Sequence, residues 1–359
     1  MKKPLLKSFI VLTVISSIAG TAATAATPTK GYKISNGMTT FYNDGTNTFY
    51  SDIWTNAASL WNGTHYVSVT TGTTDNYRTG NLSNNAVDWD GVTDTTWNSA
   101  TTLVISQKSW VNTFYTSLAR YTTDMVKGIA THEMGHAIGL EHNNNTSEPS
   151  VMYRATFNYN AATDVYTPTR PYTWPTNADK EGLNTKYGPA QYLTAIDENL
   201  DLSKYELVTT IEASWAVEYE NLNSLAHKAD IVVSGVITDK NSELKRSDGP
   251  VSLETISELN VTNVIKGENI TDGINLKIQQ MGGLDGNVAV ISDDTTIFKS
   301  GDNVLLFLRK NEDDTYSPIN EDYSTFKATQ SLKGARNEYT NLKTGEVTNV
   351  EELVQTIQK

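Results

Sequence analysis

The stretch HEMGHAIGLEH, residues 132 to 142, places more structural requirements on the chain than any other part of it. Three of the protein's five histidines lie within these eleven residues. For His132 and His136 to act on one point they must sit a turn apart on one helix face, so the region must be helical. The residues around them supply the means. Thr122 or Thr123 can cap a helix over 122 to 139, Asp124 suits its positive end, and Met125, Ile129, Met134 and Ile138 give it apolar contacts. Gly139 lets the backbone leave the helix, so His142 can return toward the other two. Three neutral imidazoles suit a zinc ion that keeps one coordination position open. Glu133 lies about 100° round the helix from His132. It therefore reaches that open position rather than the ion, which makes it the candidate general base.

These residues match H-E-x-x-H-x-x-G-x-x-H, and the chain resembles the metzincin peptidases, whose pattern also includes a methionine turn downstream. Met152 in SVMY stands ten residues after His142. The resemblance gives it the role of a floor beneath the metal. Within the clan the chain is similar to the matrixins and their bacterial relatives, over residues 30 to 190. TTLVISQKSW (101 to 110) resembles the edge strand ahead of the metal helix, against which an extended substrate lies antiparallel. ADKEGLNTKYG (178 to 188) resembles the closing helix, with Asp179, Leu183, Tyr187 and Gly188 at matching places. The resemblance implies an α+β domain, a twisted and mostly parallel sheet with an antiparallel edge strand and three helices. It also implies a zinc endopeptidase with His132, His136 and His142 as ligands and Glu133 as base, acting on peptide bonds of proteins.

The chain departs from that family in its control elements. Animal matrixins mask their zinc with a propeptide cysteine, and this sequence has no cysteine at all. They carry a second, structural zinc on further histidines, where only His65 remains here. Some metzincins ligate zinc with a tyrosine two residues after the methionine; that position is Arg154, so Tyr153 is not given the role. Asp75, Asp88, Asp90 and Asp94 have the oxygen chemistry of a structural calcium site, or are ordinary solvated loop residues.

The remaining sequence sets the context. Lys2, Lys3 and Lys7, the apolar run SFIVLTVISSIAG and the small-residue TAATAA make residues 1 to 26 a signal peptide, so the protein is expected to be secreted and free of the membrane after cleavage. The formal net charge is -13, and losing those lysines takes it to about -16, which argues against a nucleic-acid partner. The absence of cysteine excludes disulfides and a lipid-anchored cysteine. A length of 359 residues suggests two domains. In the first, 27 to 190, a helix is expected at 49 to 63, strands at 65 to 72 and 101 to 110, and loops at 73 to 100 and 143 to 178. Residues 191 to 229 read as a linker and helix, and 230 to 335 as a small β-rich barrel or sandwich, followed by a tail at 336 to 359. The element order of the second domain resembles the OB-like barrel of the tissue inhibitors of metalloproteinases and netrin-type modules. Self-inhibition, attachment to substrate or surface, and a plain spacer are its open roles. The chain is expected to be a monomer whose partner is a protein or peptide substrate. The competing reading is an inactive, metal-binding adhesin that works through the β-domain.

Overall fold

The computed structural model describes residues 26–73, 76–145, 147–170, 172–188, 204–205, 207–243, 251, 253–328 and 338–357. The expected signal peptide (but for Ala26), Asp75 and residues 191 to 203 of the expected linker lie outside them. No described helix is long and apolar enough to cross a membrane.

The first part of the chain runs β1 (Met38–Asp44), α1 (Thr48–Asn62), β2 (Ser68–Thr71), β3 (Tyr77–Leu82), β4 (Trp89–Asn98), β5 (Val104–Asn112), α2 (Thr113–Thr116), α3 (Thr123–Ala137), β6 (Ala155–Asn160), β7 (Val165–Pro168) and α4 (Asn177–Tyr187). The second part runs β8 (Leu207–Tyr219), α5 (Leu222–Lys228), β9 (Ile231–Glu243), β10 (Glu254–Lys266), β11 (Asn275–Met281), β12 (Gly283–Asp285), β13 (Val288–Ser292), β14 (Asn303–Lys310), β15 (Tyr316–Pro318), β16 (Thr325–Ala328), β17 (Glu338–Asn341), β18 (Val347–Asn349) and α6 (Val350–Ile357).

Local chemistry explains the helices that position the site. The Thr122 side chain accepts from the Met125 N–H and caps α3, as an N-cap threonine does. Beyond its end Gly139 takes φ +91°, a conformation costly for any residue with a Cβ. Ile129, Met134 and Ile138 are buried and pack with Trp54 and Trp61 of α1. At α4 the Thr176 and Asp179 side chains form a reciprocal capping box.

Two sheets carry the rest. The first has the order β12-β13-β8-β4-β5-β3-β1-β2, with β6 paired to β8 and β7 to β6. The run β2-β1-β3-β5 is parallel, and β4 lies antiparallel to β5. This much follows the expected mixed α/β plan. The edge does not. The segment 101 to 110, read as the edge strand, contributes β5, which is internal between β3 and β4. The antiparallel strand is β4, from within the stretch 73 to 100 read mainly as loop. Its polar sequence WDGVTDTTWN hides a strand hydrogen-bonded on both flanks and buried nearly throughout. The strand beyond it is β8, from a segment read as helical or linking. The 143 to 178 loop likewise contains the β6–β7 hairpin.

In the second sheet β9, β10, β11, β15 and β14 close on themselves into a five-stranded barrel, because β14 also pairs with β9. Its interior is apolar, around Val233, Leu259, Ile278, Val304 and Leu306. The segment read as a tail is structured: β17 pairs with β16, and Leu353 of α6 packs against Leu225 and Phe326. β12 and β13 leave the barrel sequence and join the first sheet, β13 lying parallel to β8. The strand-rich stretch 230 to 335 is thus divided between both sheets.

Candidate metal centre

α3 presents His132 and His136 on one face, and the turn at Gly139 brings back His142. The Nε2 atoms of His132 and His142 lie 3.0 and 3.2 Å from His136 Nε2. Among the described residues, these three are the one cluster of three or more His or acidic side chains that could hold a metal ion. Their tautomers follow from their surroundings. His132 Nδ1 stands 2.8 Å from the Val151 carbonyl and His136 Nδ1 2.9 Å from the Leu140 carbonyl. A carbonyl only accepts, so each Nδ1 carries the proton and each Nε2 turns a lone pair to the common centre. Burial also holds all three imidazoles below the usual histidine range, His136 down to about 3. Neighbouring Arg170 (for His132) and Lys30 (for His136) push the same way. The rings are neutral and ready to ligate, and the donor set fits zinc with a position left open.

Glu133 follows the first ligand and is fully buried. Its Oε2 accepts from Thr93 Oγ1 at 2.9 Å, whereas Oε1 has no hydrogen-bond partner among the described residues. Burial raises its pKa well above the ordinary carboxylate range, with Thr93 and Arg170 acting in the opposite direction. Gly91 of β4 is what leaves room for it, since a Cβ there would collide with Glu133 Oε1 and approach Ile129 Cγ2 to 2.6 Å. Met152 is buried beneath α3, against Gly135, where an added Cβ would strike its sulfur. The turn that carries it is fastened by Asp179 of α4. That carboxylate accepts from Ser150 Oγ (2.5 Å), the Val151 N–H (3.0 Å), Thr27 Oγ1 (2.7 Å) and the Thr176 N–H (2.8 Å).

Among the described residues, the candidate calcium ligands Asp88, Asp90 and Asp94 do not gather. Asp88 meets Arg309 Nε at 3.2 Å. Asp90 is buried and accepts from Tyr121 and Ser214 hydroxyls, and Asp94 is buried on β4 with Lys108 as its charged neighbour. Tyr153 donates its hydroxyl to Glu218 at 3.0 Å. His65 sits in the turn after α1 with φ +65°, and His227 lies against Tyr159.

Sequence reasoning missed a second set of residues around α3. Buried Arg170 donates to Thr156 Oγ1 (2.6 Å) and Ser214 Oγ (2.8 Å), 3.9 Å from Asp90. Lys30 pairs with Asp293 and, at 2.8 Å, with Glu212, whose Oε2 lies 4.0 Å from His136 Nδ1. Burial opposes the Lys30 charge, but Asp293 and Glu212 outweigh it and raise its pKa. Asp293 stays ionised as its partner, while burial keeps the proton on Glu212 to higher pH. The signal for β8 was present: Leu207, Thr209, Ile211, Ala213, Trp215, Val217 and Tyr219 alternate with period two. Lys30, Arg170 and Asp293 have no such local signature.

No protein-family model and no curated protein matches the chain. Solved structures overlap part of it, two of them as follows. A chain of the ECX AB5 holotoxin in its GM1-bound form shares 15% identity, with 45% of this chain and 86% of that one covered and a TM-score of 0.30. High choriolytic enzyme 1, a hatching-enzyme zinc protease from the medaka fish Oryzias latipes, shares 15% identity over 43% of this chain and 92% of its own, with a TM-score of 0.28. Both overlaps are shallow, so the functional reading rests on the side chains.

Proposed function

We propose that the protein is a zinc-dependent endopeptidase, acting on proteins outside the cell after export. The observation that supports this most is the convergence of three neutral Nε2 atoms beside a buried glutamate that follows the first ligand. His132, His136 and His142 would hold the ion. When bound, zinc supplies Lewis acidity toward a peptide carbonyl and toward water at its open position. Glu133 would take the proton of the attacking water and later deliver it to the leaving amine. Burial raises its pKa, which strengthens its hold on a proton once taken. Thr93 orients one carboxylate oxygen, and the other has no hydrogen-bond partner among the described residues that would compete for the proton. Asp179 and Met152 keep the ligand set in place from below.

The test is zinc-loaded protein with casein as substrate. Glu133→Gln should keep one zinc per chain and lose cleavage by at least a hundredfold, the scale of a general base. His142→Ala should lose the metal itself. Zinc bound stoichiometrically by the unaltered protein, with no cleavage of casein, would favour a binding protein instead.

A further inference from the structure

Where an extended substrate would be expected against the antiparallel strand, the structure has a strand of its own. β8 pairs antiparallel with β4 from Trp89↔Trp215 to Asn98↔Leu207. Its far half also pairs parallel with β6, from Ala155↔Trp215 to Tyr159↔Tyr219, and its near half with β13, ending at Ile211↔Ser292. Between those two partners, residues 212 to 214 have β4 on one flank only. The side chains of Glu212 and Ser214 lie on the face toward α3, whereas Ala213 packs on the other. Glu212 reaches the Nδ1 side of His136. Ser214 binds Asp90 and Arg170, which sit in the electrostatic field of Glu133. β6 begins just after the Met152 turn, so β8 runs between β4, which packs on α3, and the strand that follows the methionine.

We infer that β4 and β6 are the two walls of an extended-peptide trough, and that β8 is its resident occupant, which a protein substrate must displace. This rests on the peptidase reading for what the trough serves. Three observations support displacement over a permanent core strand. The face that β8 turns to α3 is polar, Thr210, Glu212 and Ser214, where apolar residues would cost nothing to bury. Glu212 Oε1 has no hydrogen-bond partner among the described residues. Part of the anchorage of β8 comes from the second half of the chain, beside that from β6, Tyr153 and Arg154: Trp215 Nε1 donates to Asp294 at 3.0 Å, and Asn320 Nδ2 to the Val217 carbonyl at 2.6 Å. The second half thus shares in holding the strand where a substrate would lie.

The chain contains no cysteine, which allows a clean lock. Thr96 and Thr209 are cross-strand partners with hydroxyls 2.8 Å apart. The full chain carrying Thr96→Cys and Thr209→Cys should, when oxidised, cut casein at least tenfold more slowly than when reduced. A labelled synthetic peptide with the sequence of residues 207 to 219 supplies a readout free of catalysis. It should bind the reduced pair, and more strongly an Ala213→Pro variant that loosens the strand, at least tenfold tighter than the oxidised pair. If Ala213→Pro does not fold, the oxidised and reduced forms of the lock decide alone. Casein cut equally fast by both forms overturns the occupant and leaves the peptidase standing. Peptide binding that follows the lock, with casein never cut, supports the occupant and overturns the peptidase. Equal peptide binding by both forms of the lock overturns the trough.

Discussion

On the Met152 side of the three histidines, buried Asp179 receives donors from Thr27, Ser150, Val151 and Thr176. On the β8 side, buried Glu212 shares one ammonium with Asp293 and leaves an oxygen without a hydrogen bond. Both are carboxyls in the interior and both stand near a ligand-bearing segment. The first has the full set of donors that a buried carboxylate needs; the second does not. If β8 is a displaceable occupant, the difference marks one side as scaffold and the other as the contact that yields first.

Breaking the scaffold wall should have the largest effect. Asp179→Ala strands several buried donors at once and is expected to cost roughly 3 kcal/mol or more, read as a fall in the urea midpoint, with weaker zinc retention in competition with a chelator. Next comes the Glu133 niche. Gly91→Ala forces a methyl onto the carboxylate and Ile129, at about 1–3 kcal/mol of overpacking. It should slow casein cleavage while zinc stoichiometry is unchanged. On β4, beside β8, the sign reverses. Burial pushes Asp94 up from the ordinary 3.8 to about 7, with Lys108 opposing it. A carboxyl whose folded pKa is raised binds its proton better folded than unfolded, so it removes stability as pH climbs from 3.8 through 7. Asp94→Asn should therefore be more stable than the parent by on the order of 1–2 kcal/mol at pH 8 and equal to it near pH 3.5, compared by urea titration at both pH values. The smallest effect is expected at Glu212→Gln, within ~1 kcal/mol by the same titration, because Asp293 still pairs Lys30. A loss there as large as that of Asp179→Ala would erase the contrast between the walls.

The legible parts of the sequence were those whose signals are local. The Thr122 cap, the apolar spacing of α3 and the φ +91° turn at Gly139 are decided within one element. The histidine cluster follows from them. β4 was hidden because its polar residues gain their burial from neighbours on both flanks, something no window of ten residues contains. β8 shows strand alternation, yet nothing local says that it pairs with β4, more than a hundred residues earlier. Lys30, Arg170 and Asp293 owe their roles to the same long-range assembly.

The hairpin β12–β13 has a practical consequence. It starts beside Gly282 and Gly283, at φ +90° and +151°, where the chain steps out of the barrel to extend the neighbouring sheet. Modularity by sequence composition is therefore not modularity in the folded molecule. A fragment ending near residue 190 would lose β8, β12 and β13 together and leave one flank of β4 as an open sheet edge. Such a fragment would tend to dimerise or precipitate along that edge, and its enzymology would report on the association rather than on the metal centre.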